Sequence, residues 1–298
     1  MFALLALFGA PIIGGTATTA TDFPAIVAIE VDGSLCTGTL IEPAWVMTAA
    51  HCLDPAELGL ASQDAVTAKT QVLLGTTNID QQGKKIAASA TVLDPLWDHE
   101  HFGKHDLALI HLAGAYTLTP PMVLNFYGSR APVGVEVTMV GFGETSAAPQ
   151  ATAGIELQLA GQVSKPCGDF HVSSSATLDD ADLLCFTQAD HQGTCAGDSG
   201  GPLIATIDGV QMVLGVTSFG DAACAEYGAY TRTNAEIAFI QAQLPDLCAG
   251  SACVDPAAPT TSGGGCAAGG EAGAGGLLLG LALAARRGRS QSCQARGQ

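Results

Sequence analysis

Basic residues are scarce in this chain of 298 residues. It has 11 Lys and Arg against 28 Asp and Glu, so its formal net charge is −17. An acidic surface of this kind repels the phosphates of nucleic acids and anionic lipid headgroups alike. We therefore expect no nucleic-acid partner. A basic cluster near the C-terminus needs a separate explanation: Arg286, Arg287, Arg289 and Arg296.

Helical periodicity is rare in the sequence. Hydrophobic residues make up 48% of it, but 37 glycines and 14 prolines divide them into short pieces, which is typical of strands joined by turns. We interpret these runs as strands: residues 25–31, 37–41, 72–74, 107–112, 135–140, 203–207 and 213–217. One helix is predicted over residues 235–244, capped by Asn234 and ended by Pro245. The pattern predicts an all-β body with a closing helix.

No Cys-x-x-Cys zinc spacing occurs among the ten cysteines. The closest pair, Cys248 and Cys253, has no histidine cluster beside it that would complete a tetrahedral zinc site. A chain this rich in cysteine is typical of an oxidising compartment, where disulfides persist. We therefore predict a secreted protein.

Both ends of the chain differ in composition from residues 12–247. Residues 1–11 are apolar like the core of a secretory signal but lack the preceding basic segment, which indicates a start codon assigned too far downstream or an atypical leader. Residues 248–265 are rich in Ala, Pro, Thr, Ser and Gly, as a linker is. Residues 266–298 form a separate tail.

Three segments carry the residue types of nucleophilic catalysis. His51 lies at the end of an apolar strand in Thr-Ala-Ala-His-Cys, and Asp106 stands at the head of a buried run. Ser199 lies among glycines in Gly-Asp-Ser-Gly-Gly-Pro, where backbone N–H groups approach a substrate carbonyl closely. Attack on a peptide bond needs a hydroxyl, a base and donors for the developing oxyanion. Asp94 and Asp98 are rival acids, but neither stands directly before a buried strand.

In order and spacing these segments resemble the chymotrypsin-like (trypsin-fold) serine proteases over residues 12–247. The segment that begins at Ile12 looks like the family's mature N-terminus, and the one that begins at Cys36 looks like the strand before the histidine. Gly141 begins a segment like a Gly-Trp-Gly turn, Ser218 one like the substrate-pairing strand, and Gly228 one like the pocket-closing strand. The resemblance implies two six-stranded antiparallel barrels packed face to face, joined near residues 118–130, in a secreted, monomeric endopeptidase for protein or peptide substrates that needs no cofactor.

The resemblance also implies a role for each site residue. His51 acts as general base and then acid, Asp106 orients its ring, and Ser199 is the nucleophile that forms an acyl-enzyme. The amides of Gly197 and Ser199 form the oxyanion hole. We expect activity to rise as His51 loses its proton near about pH 6.5–7.

Activation is implied to depend on Asp198, which pairs in the family with the α-ammonium that cleavage creates, here that of Ile12. Pro11 precedes Ile12, whereas family zymogens are usually cut after a basic residue. We therefore expect another protease, or processing of the leader, to expose Ile12. The loop 74–79 resembles the family's calcium loop, but Thr76 replaces the acidic ligand, so we predict no calcium there.

Disulfides follow from the same resemblance. It pairs Cys36 with Cys52, Cys167 with Cys185, and Cys195 with Cys224. Outside the resemblance, we expect Cys248 and Cys253 to pair locally.

The specificity pocket departs from trypsin. Gly193 stands where trypsin-like enzymes carry an aspartate, which argues against a preference for Lys or Arg, and Gly220 and Gly228 should leave the pocket walls open. The implied substrate-binding residues are Gly193, Thr194, Ser218, Phe219, Gly220 and Gly228. We predict apolar or aromatic side chains before the scissile bond. Three acidic residues would change this if they entered the pocket: Asp190, Asp221 and Glu226.

The tail resembles a second family, the tripartite sorting signals of the MYXO-CTERM type, with Cys266 after a glycine run, the apolar segment 272–285 and the arginine cluster. This resemblance implies cleavage near Cys266 by a sorting protease and anchoring at the outer cell surface. A plain membrane anchor is the alternative, because the apolar run reaches the lower limit of a spanning helix, about 17 residues, when it is extended back through Glu271 to Gly269.

Alternatives of other classes stay open. An inactive, protease-like binding module would keep the fold, and an esterase is disfavoured because the Ser-Asp-His order of that class is absent. A loop rich in His and acidic residues suits a metal, although we favour a solvated loop and no metal: Asp98, His99, Glu100, His101 and His105.

Overall fold

A computed structural model describes residues 12–247, except for residues 82, 101–103, 127–132, 146–151, 164–165, 171–177, 189–191 and 208. The predicted leader 1–11, linker 248–265 and tail 266–298 lie outside the described residues, as do Asp190, Cys248, Cys253 and Cys266. Within the described part, no helix is long and apolar enough to cross a membrane.

Strands dominate the structure. In chain order they are β1 (Thr16–Ala17), β2 (Ile26–Val31), β3 (Ser34–Glu42), β4 (Trp45–Thr48), β5 (Thr70–Leu74), β6 (Lys84–Leu93), β7 (Ala108–Leu112), β8 (Val123–Leu124), β9 (Glu136–Gly141), β10 (Leu157–Gln162), β11 (Leu183–Thr187), β12 (Pro202–Ile207), β13 (Val210–Gly220) and β14 (Tyr227–Arg232). The helices are α1 (Pro55–Leu58), α2 (Gln63–Lys69) and α3 (Ile237–Gln243).

The first half of the described chain is a closed, six-stranded barrel. Its strands pair antiparallel in the order β2, β3, β4, β7, β6 and β5. Alternate residues of β2, namely Val27, Ile29 and Val31, point into one apolar core with residues of β4 and β7, as the two-residue period of a strand requires. The barrel closes, and no strand edge is left exposed.

The second half is an eight-stranded sheet in the order β1, β10, β9, β12, β13, β14 and β11, with β8 paired in parallel to β13. The predicted all-β fold is confirmed, with one closed barrel, a half-barrel and a C-terminal helix. Within the described residues the path of the second half stays open, because β1 contributes only two paired residues at one end and β11 pairs only with β14 at the other.

The two halves pack against each other through an apolar cluster. Ile26 and Leu73 of the barrel contact Val140, Phe142 and Ile204 of the sheet, and all five side chains are buried. Burial of such side chains contributes about 1.5–3 kcal/mol each. This contact fixes one half against the other, and with it the cleft between them.

The helices differ in part from the sequence prediction. Two short helices were not predicted, although their caps are visible in the sequence: the Asp54 side chain accepts from the Ala56 amide, and the Ser62 hydroxyl accepts from the Ala65 amide. The closing helix α3 begins at Ile237, later than predicted, with Glu236 at its N-cap position. The prediction that Asn234 caps this helix was therefore wrong.

The structure forms the three disulfides that the resemblance implied: Cys36–Cys52, Cys167–Cys185 and Cys195–Cys224. The first fastens β3 to the turn that begins at His51, and the third fastens the loop before β12 to the loop before β14. Each closes a short loop, for which chain entropy predicts about 3 kcal/mol of stabilisation.

Candidate active site

His51 and Asp106 are brought together by the pairing of β4 with β7. Thr48, the last residue of β4, lies opposite Ala108, the first residue of β7, so the residues that follow one strand meet those that precede the other. His51 Nδ1 lies 2.8 Å from Asp106 Oδ2, and the His51 amide donates to Asp106 Oδ1 at 2.9 Å. The hydroxyl of Ser218 also donates to Asp106 Oδ2. The rival acids lie elsewhere: Asp94 is beside Glu236, and Asp98 accepts from the Glu100 amide.

The electrostatics of this pair favour a charged carboxylate and a basic ring. Burial alone would lower the pKa of His51, but the charge and hydrogen bond of Asp106, with smaller effects of Glu57 and Asp54, raise it above its ordinary value. Burial alone would raise the pKa of Asp106, which is fully buried. The charge of His51 and the hydrogen bonds from His51 and Ser218 instead lower that pKa. Asp106 therefore stays ionised and holds the ring through Nδ1, which leaves Nε2 to act as a base.

Ser199 lies in a loop that leaves no room for movement of its backbone. The Ser199 carbonyl accepts from the Thr37 amide, and the Gly200 amide donates to the Thr217 carbonyl, both at 2.8 Å. Gly200 has a φ of 83°, and a Cβ added there would lie 2.0 Å from the Thr48 hydroxyl oxygen. Only glycine meets both conditions.

Ser199 and His51 lie on either side of one sulfur. Cys52 Sγ is 3.8 Å from His51 Nε2 and 3.7 Å from the Ser199 carbonyl oxygen. Among the described residues, the Ser199 hydroxyl makes no hydrogen bond to the His51 ring. Catalytic hydrogen bonds are often long or misaligned without substrate and tighten when it binds.

Two backbone donors remain available beside Ser199. Within the described part of the chain, neither the Gly197 amide nor the Ser199 amide donates a hydrogen bond. The Thr37 hydroxyl donates to the Gly197 carbonyl at 2.9 Å, which fixes the orientation of that residue. Both residues are only partly buried, so a bound group with a negatively charged oxygen can reach these N–H groups.

Asp198 is the second fully buried carboxylate of the site. It accepts from the Gly143 amide at 2.8 Å and from the Cys195 amide at 2.9 Å, and no described Lys, Arg or His forms a salt bridge with it. Burial raises the pKa of Asp198 to about 7 despite these hydrogen bonds, and the charge of Glu144 adds to the rise. A Cβ on Gly143 would lie 2.4 Å from the Asp198 carboxyl carbon, which explains the glycine.

Ile12 is fully buried in the core of the second half. Its neighbour Ile13 forms a bridge with Gly193, with N–O distances of 2.9 and 3.0 Å. The segment that follows the expected cleavage point is therefore seated beside the specificity pocket. Because Pro11 precedes Ile12 in this chain, the Ile12 nitrogen is part of a peptide bond and carries no charge.

The side chain of Gln188 lies beside two of the glycines that are predicted to line the specificity pocket, Gly193 and Gly228. Side chains placed on Gly193 and Gly228 would both run into Gln188, at 2.3 Å from its Cδ and 2.5 Å from its Oε1 respectively. Gln188 is 3% exposed and donates from Nε2 to the Thr194 carbonyl at 3.1 Å. Sequence reasoning missed this residue, because it reaches the pocket from a neighbouring loop and not from a family motif. A neutral amide therefore lies beside both glycines.

The structure describes two of the three acidic residues that would change the specificity if they entered the pocket, Asp221 and Glu226. Asp221 accepts from the backbone amides of residues 223, 225, 226 and 227, so its carboxylate holds the loop before β14. Burial is the largest single influence and would raise the pKa of Asp221, but those hydrogen bonds together lower it. Glu226 is exposed. Phe219 and Phe170 pack on Tyr227, with ring centroids 6.3 and 5.7 Å apart.

The other predicted feature, the loop 74–79, is closed by side-chain contacts. The Thr76 hydroxyl donates to the Asn78 carbonyl at 2.8 Å and accepts from the Asn78 amide at 3.2 Å. The residue that replaces the acidic ligand therefore holds the loop itself.

A barrel and a half-barrel, with a His–Asp pair facing a serine loop between them, define a double-barrel serine hydrolase. The family model described as Trypsin matches residues 12–240, most of the chain, and the chain belongs to this family.

Several relatives agree with this assignment. The chain is 30% identical to brachyurin of Leptuca pugilator over 248 residues, which cover 78% of this chain and 98% of the relative. It is 30% identical to chymotrypsin-like elastase family member 1 of Bos taurus over 226 residues, covering 70% and 79%. It is also 30% identical to serine protease SP24D of Anopheles gambiae over 220 residues, covering 71% and 72%. The protein is thus a chymotrypsin-like serine endopeptidase, a hydrolase of peptides or proteins.

Proposed function

We propose that the protein is a secreted endopeptidase that cleaves after apolar or aromatic side chains, with His51, Asp106 and Ser199 as its catalytic triad. The observation that carries the assignment is the double contact of Asp106 with His51, next to a serine loop with two unpaired amides.

The proposed reaction uses these groups in sequence. Asp106 holds Nδ1 of the ring, so Nε2 of His51 takes the proton of the Ser199 hydroxyl as its oxygen attacks the substrate carbonyl. The amides of Gly197 and Ser199 donate to the oxyanion that forms. His51 then gives the proton to the leaving amine, and water, activated by the same ring, hydrolyses the ester and frees Ser199.

Activation is proposed to create the partner that Asp198 lacks. Cleavage before Ile12 turns an uncharged peptide nitrogen into an α-ammonium, and a buried carboxylate gains most from a charge that is buried with it. The position of Ile13 on Gly193 supports this proposal, because it leaves the new terminus inside the second half.

The specificity proposal is supported by the absence of charge from the described part of the pocket. Gln188 and Thr194 offer a neutral amide and a hydroxyl beside Gly228, and Phe219 and Tyr227 add aromatic surface nearby. An unpaired Lys or Arg buried there would cost several kcal/mol. The name elastase among the relatives is in keeping with an apolar preference.

Secretion and anchoring are proposed on separate grounds. Three disulfides favour an oxidising compartment. Retention at the cell surface depends on the tail alone, through cleavage near Cys266 or a membrane anchor. Mass spectrometry of the C-terminal peptide of protein recovered from the cell envelope distinguishes the two: a peptide that ends near Cys266 supports sorting, and an intact tail supports the anchor.

A fluorophosphonate probe tests the catalytic assignment. Protein whose N-terminus is shown to be Ile12 by N-terminal sequencing should be labelled, Ser199→Ala should not be labelled, and Ser34→Ala, which changes an exposed serine, should be labelled like the wild type. Absence of labelling in the processed wild type would overturn the proposed triad and favour the binding module. A substrate panel then tests specificity, and fastest cleavage after Lys or Arg would contradict it.

A further inference from the structure

A second cluster of titratable side chains lies behind the catalytic acid. Asp94 follows β6, His105 directly precedes Asp106, and Glu236 precedes α3. One ligand atom from each of the three clustered residues Asp94, His105 and Glu236 lies within 4.8 Å of the others. The proposed mechanism uses none of these three side chains.

The two carboxylates of this cluster are buried, and among the described residues His105 is the one basic side chain paired with them. Asp94 is 4% and Glu236 3% exposed. His105 Nδ1 lies 3.1 Å from Glu236 Oε2, and no described Lys or Arg forms a salt bridge with either carboxylate. One carboxylate oxygen of Asp94 also lies within 4.8 Å of one of Glu236. Two buried acids at this distance need a proton or a cation between them.

One oxygen of the cluster has no partner at all. Glu236 Oε1 is buried and accepts no hydrogen bond within the described part of the chain. Asp94 uses Oδ1 to accept from the Leu96 amide at 2.8 Å. A buried polar atom that accepts nothing costs about 1–3 kcal/mol. The cluster is therefore incomplete as it stands, because Glu236 Oε1 lacks a donor or a cation.

We propose that Asp94, His105 and Glu236 bind a divalent transition-metal cation, for which Zn²⁺ is the natural probe. Imidazole and carboxylate are ligands that zinc accepts, at bond lengths of about 2.0–2.2 Å. Two such ligands at tetrahedral angles on one ion lie about 3.3–3.5 Å apart, so the 3.1 Å between His105 Nδ1 and Glu236 Oε2 needs to widen by only a few tenths of an ångström when the ion binds. Calcium is disfavoured because it takes six to eight oxygens.

The surroundings leave room for a fourth ligand. A cavity of about 450 Å³ is lined by all three residues together with the apolar side chains of Val92, Leu96 and Phe239. A water molecule in it would complete a tetrahedral site. The ion would tie the start of α3 to the residue next to Asp106, so it would act as a structural staple behind the catalytic pair.

A rival reading needs no metal. His105 has a φ of 57°, a left-handed conformation in which Asn, Asp and His are enriched. On this reading histidine is present for its backbone and the two acids share a proton. The two readings differ in whether stability depends on metal or only on pH.

The test uses the full chain, stripped of metal with a chelator and titrated with Zn²⁺ by calorimetry and thermal unfolding. We expect one Zn²⁺ per chain, and a melting temperature raised by roughly 5–10 °C at a free concentration of 100 times Kd. His105→Asn, which suits the left-handed backbone, and Glu236→Gln should each weaken binding at least about tenfold. His99→Gln, in the same loop but exposed, should bind like the wild type.

Three results would overturn the proposal: no saturable binding, equal binding by His105→Asn, or a stability that changes with pH but not with metal. If Glu236→Gln does not fold, Asp94→Asn and the zinc-edge anomalous signal of wild-type crystals replace it, and zinc located elsewhere would also overturn it. Binding is measured without substrate, so its failure and the failure of the protease assignment are distinguishable.

Discussion

Asp106 and Asp198 are both fully buried, yet their surroundings act on them in opposite directions. Asp106, at the edge of the closed barrel, contacts a ring that can carry positive charge, and its pKa is lowered. Asp198, in the second half, receives only two backbone amides, and its pKa is raised to about 7. Burial is the largest single influence on both pKa values, so the partner decides the outcome. One half of the site is complete in the uncleaved chain, and the other half awaits a charge.

The largest expected effect comes from removing the charge of Asp106, in the half of the site that is complete before cleavage. Asp106→Asn should lower kcat by about 10⁴-fold, because an amide in place of the carboxylate favours the wrong tautomer of His51. Steady-state kinetics on a peptide substrate measure this. Asp98→Asn, which changes a nearby loop carboxylate, is the control and should keep nearly full activity. A loss of less than tenfold in Asp106→Asn would mean that another acid serves His51.

Removing the Asp198 carboxylate should affect the stability of the protein differently before and after cleavage at Ile12. In the Ile12-terminated form, Asp198→Asn should destabilise the protein by about 3–5 kcal/mol, because it leaves a buried α-ammonium unpaired. Urea unfolding of the processed protein measures this cost, and activity should fall with it. A processed Asp198→Asn protein that is as stable and active as the wild type would remove Asp198 from the activation mechanism.

In the uncleaved chain, the same carboxylate should make stability depend on pH. Its folded pKa of about 7 lies above its ordinary value of 3.8, so the folded state binds the proton more tightly than the unfolded state. The stabilising effect of that proton is fully present below pH 3.8 and is lost as pH rises through 7. The loss amounts to about 4 kcal/mol. Asp198→Asn should flatten this part of the stability curve, and an unchanged curve would assign the pH dependence to other groups.

A smaller effect is expected from Gln188, which lies beside Gly193 and Gly228 in the second half. Gln188→Ala should enlarge the pocket and raise kcat/KM for a large aromatic side chain relative to a small apolar one by about tenfold. Competing peptides that differ only in this side chain measure the ratio. Gln162→Ala, on β10, provides a control outside the pocket. An unchanged ratio would show that Gln188 does not limit the pocket.

The smallest effect concerns the ring itself. Because the pKa of His51 is raised, its protonated, inactive form persists to higher pH, and kcat/KM should rise with a midpoint above the ordinary histidine value. Glu57→Gln removes one of the charges that raise this pKa, so the midpoint should move slightly downward. The pH profile of kcat/KM measures both. A rate that does not vary between pH 5 and 8 would contradict general-base catalysis by His51.

What the sequence could predict depended on how local each feature is. His51, Asp106 and Ser199 each stand in a short motif, and the positions of six cysteines resembled family positions, so their pairing was predicted. Gln188 was not predictable, because its side chain matters only where two distant glycines leave space for it. The same holds for Glu236, whose meeting with Asp94 and His105 is produced by the packing of α3 and by no pattern along the chain.

The sequence also could not predict whether the sheet of the second half closes into a barrel. Periodicity indicates a strand, but whether a sheet closes depends on how many residues its outermost strands pair, and β1 pairs only two. The short helices α1 and α2 were not predicted because neither has a long apolar period. Their N-caps, Asp54 and Ser62, are nevertheless of the usual kind.

The sulfur of Cys52 connects the chemistry of the site to the place where the protein can work. It lies between the ring of His51 and the backbone of Ser199, and its bond to Cys36 holds the turn that begins at His51. Opening that bond would loosen the base relative to the nucleophile. A reducing environment that opens this disulfide would therefore weaken the protease.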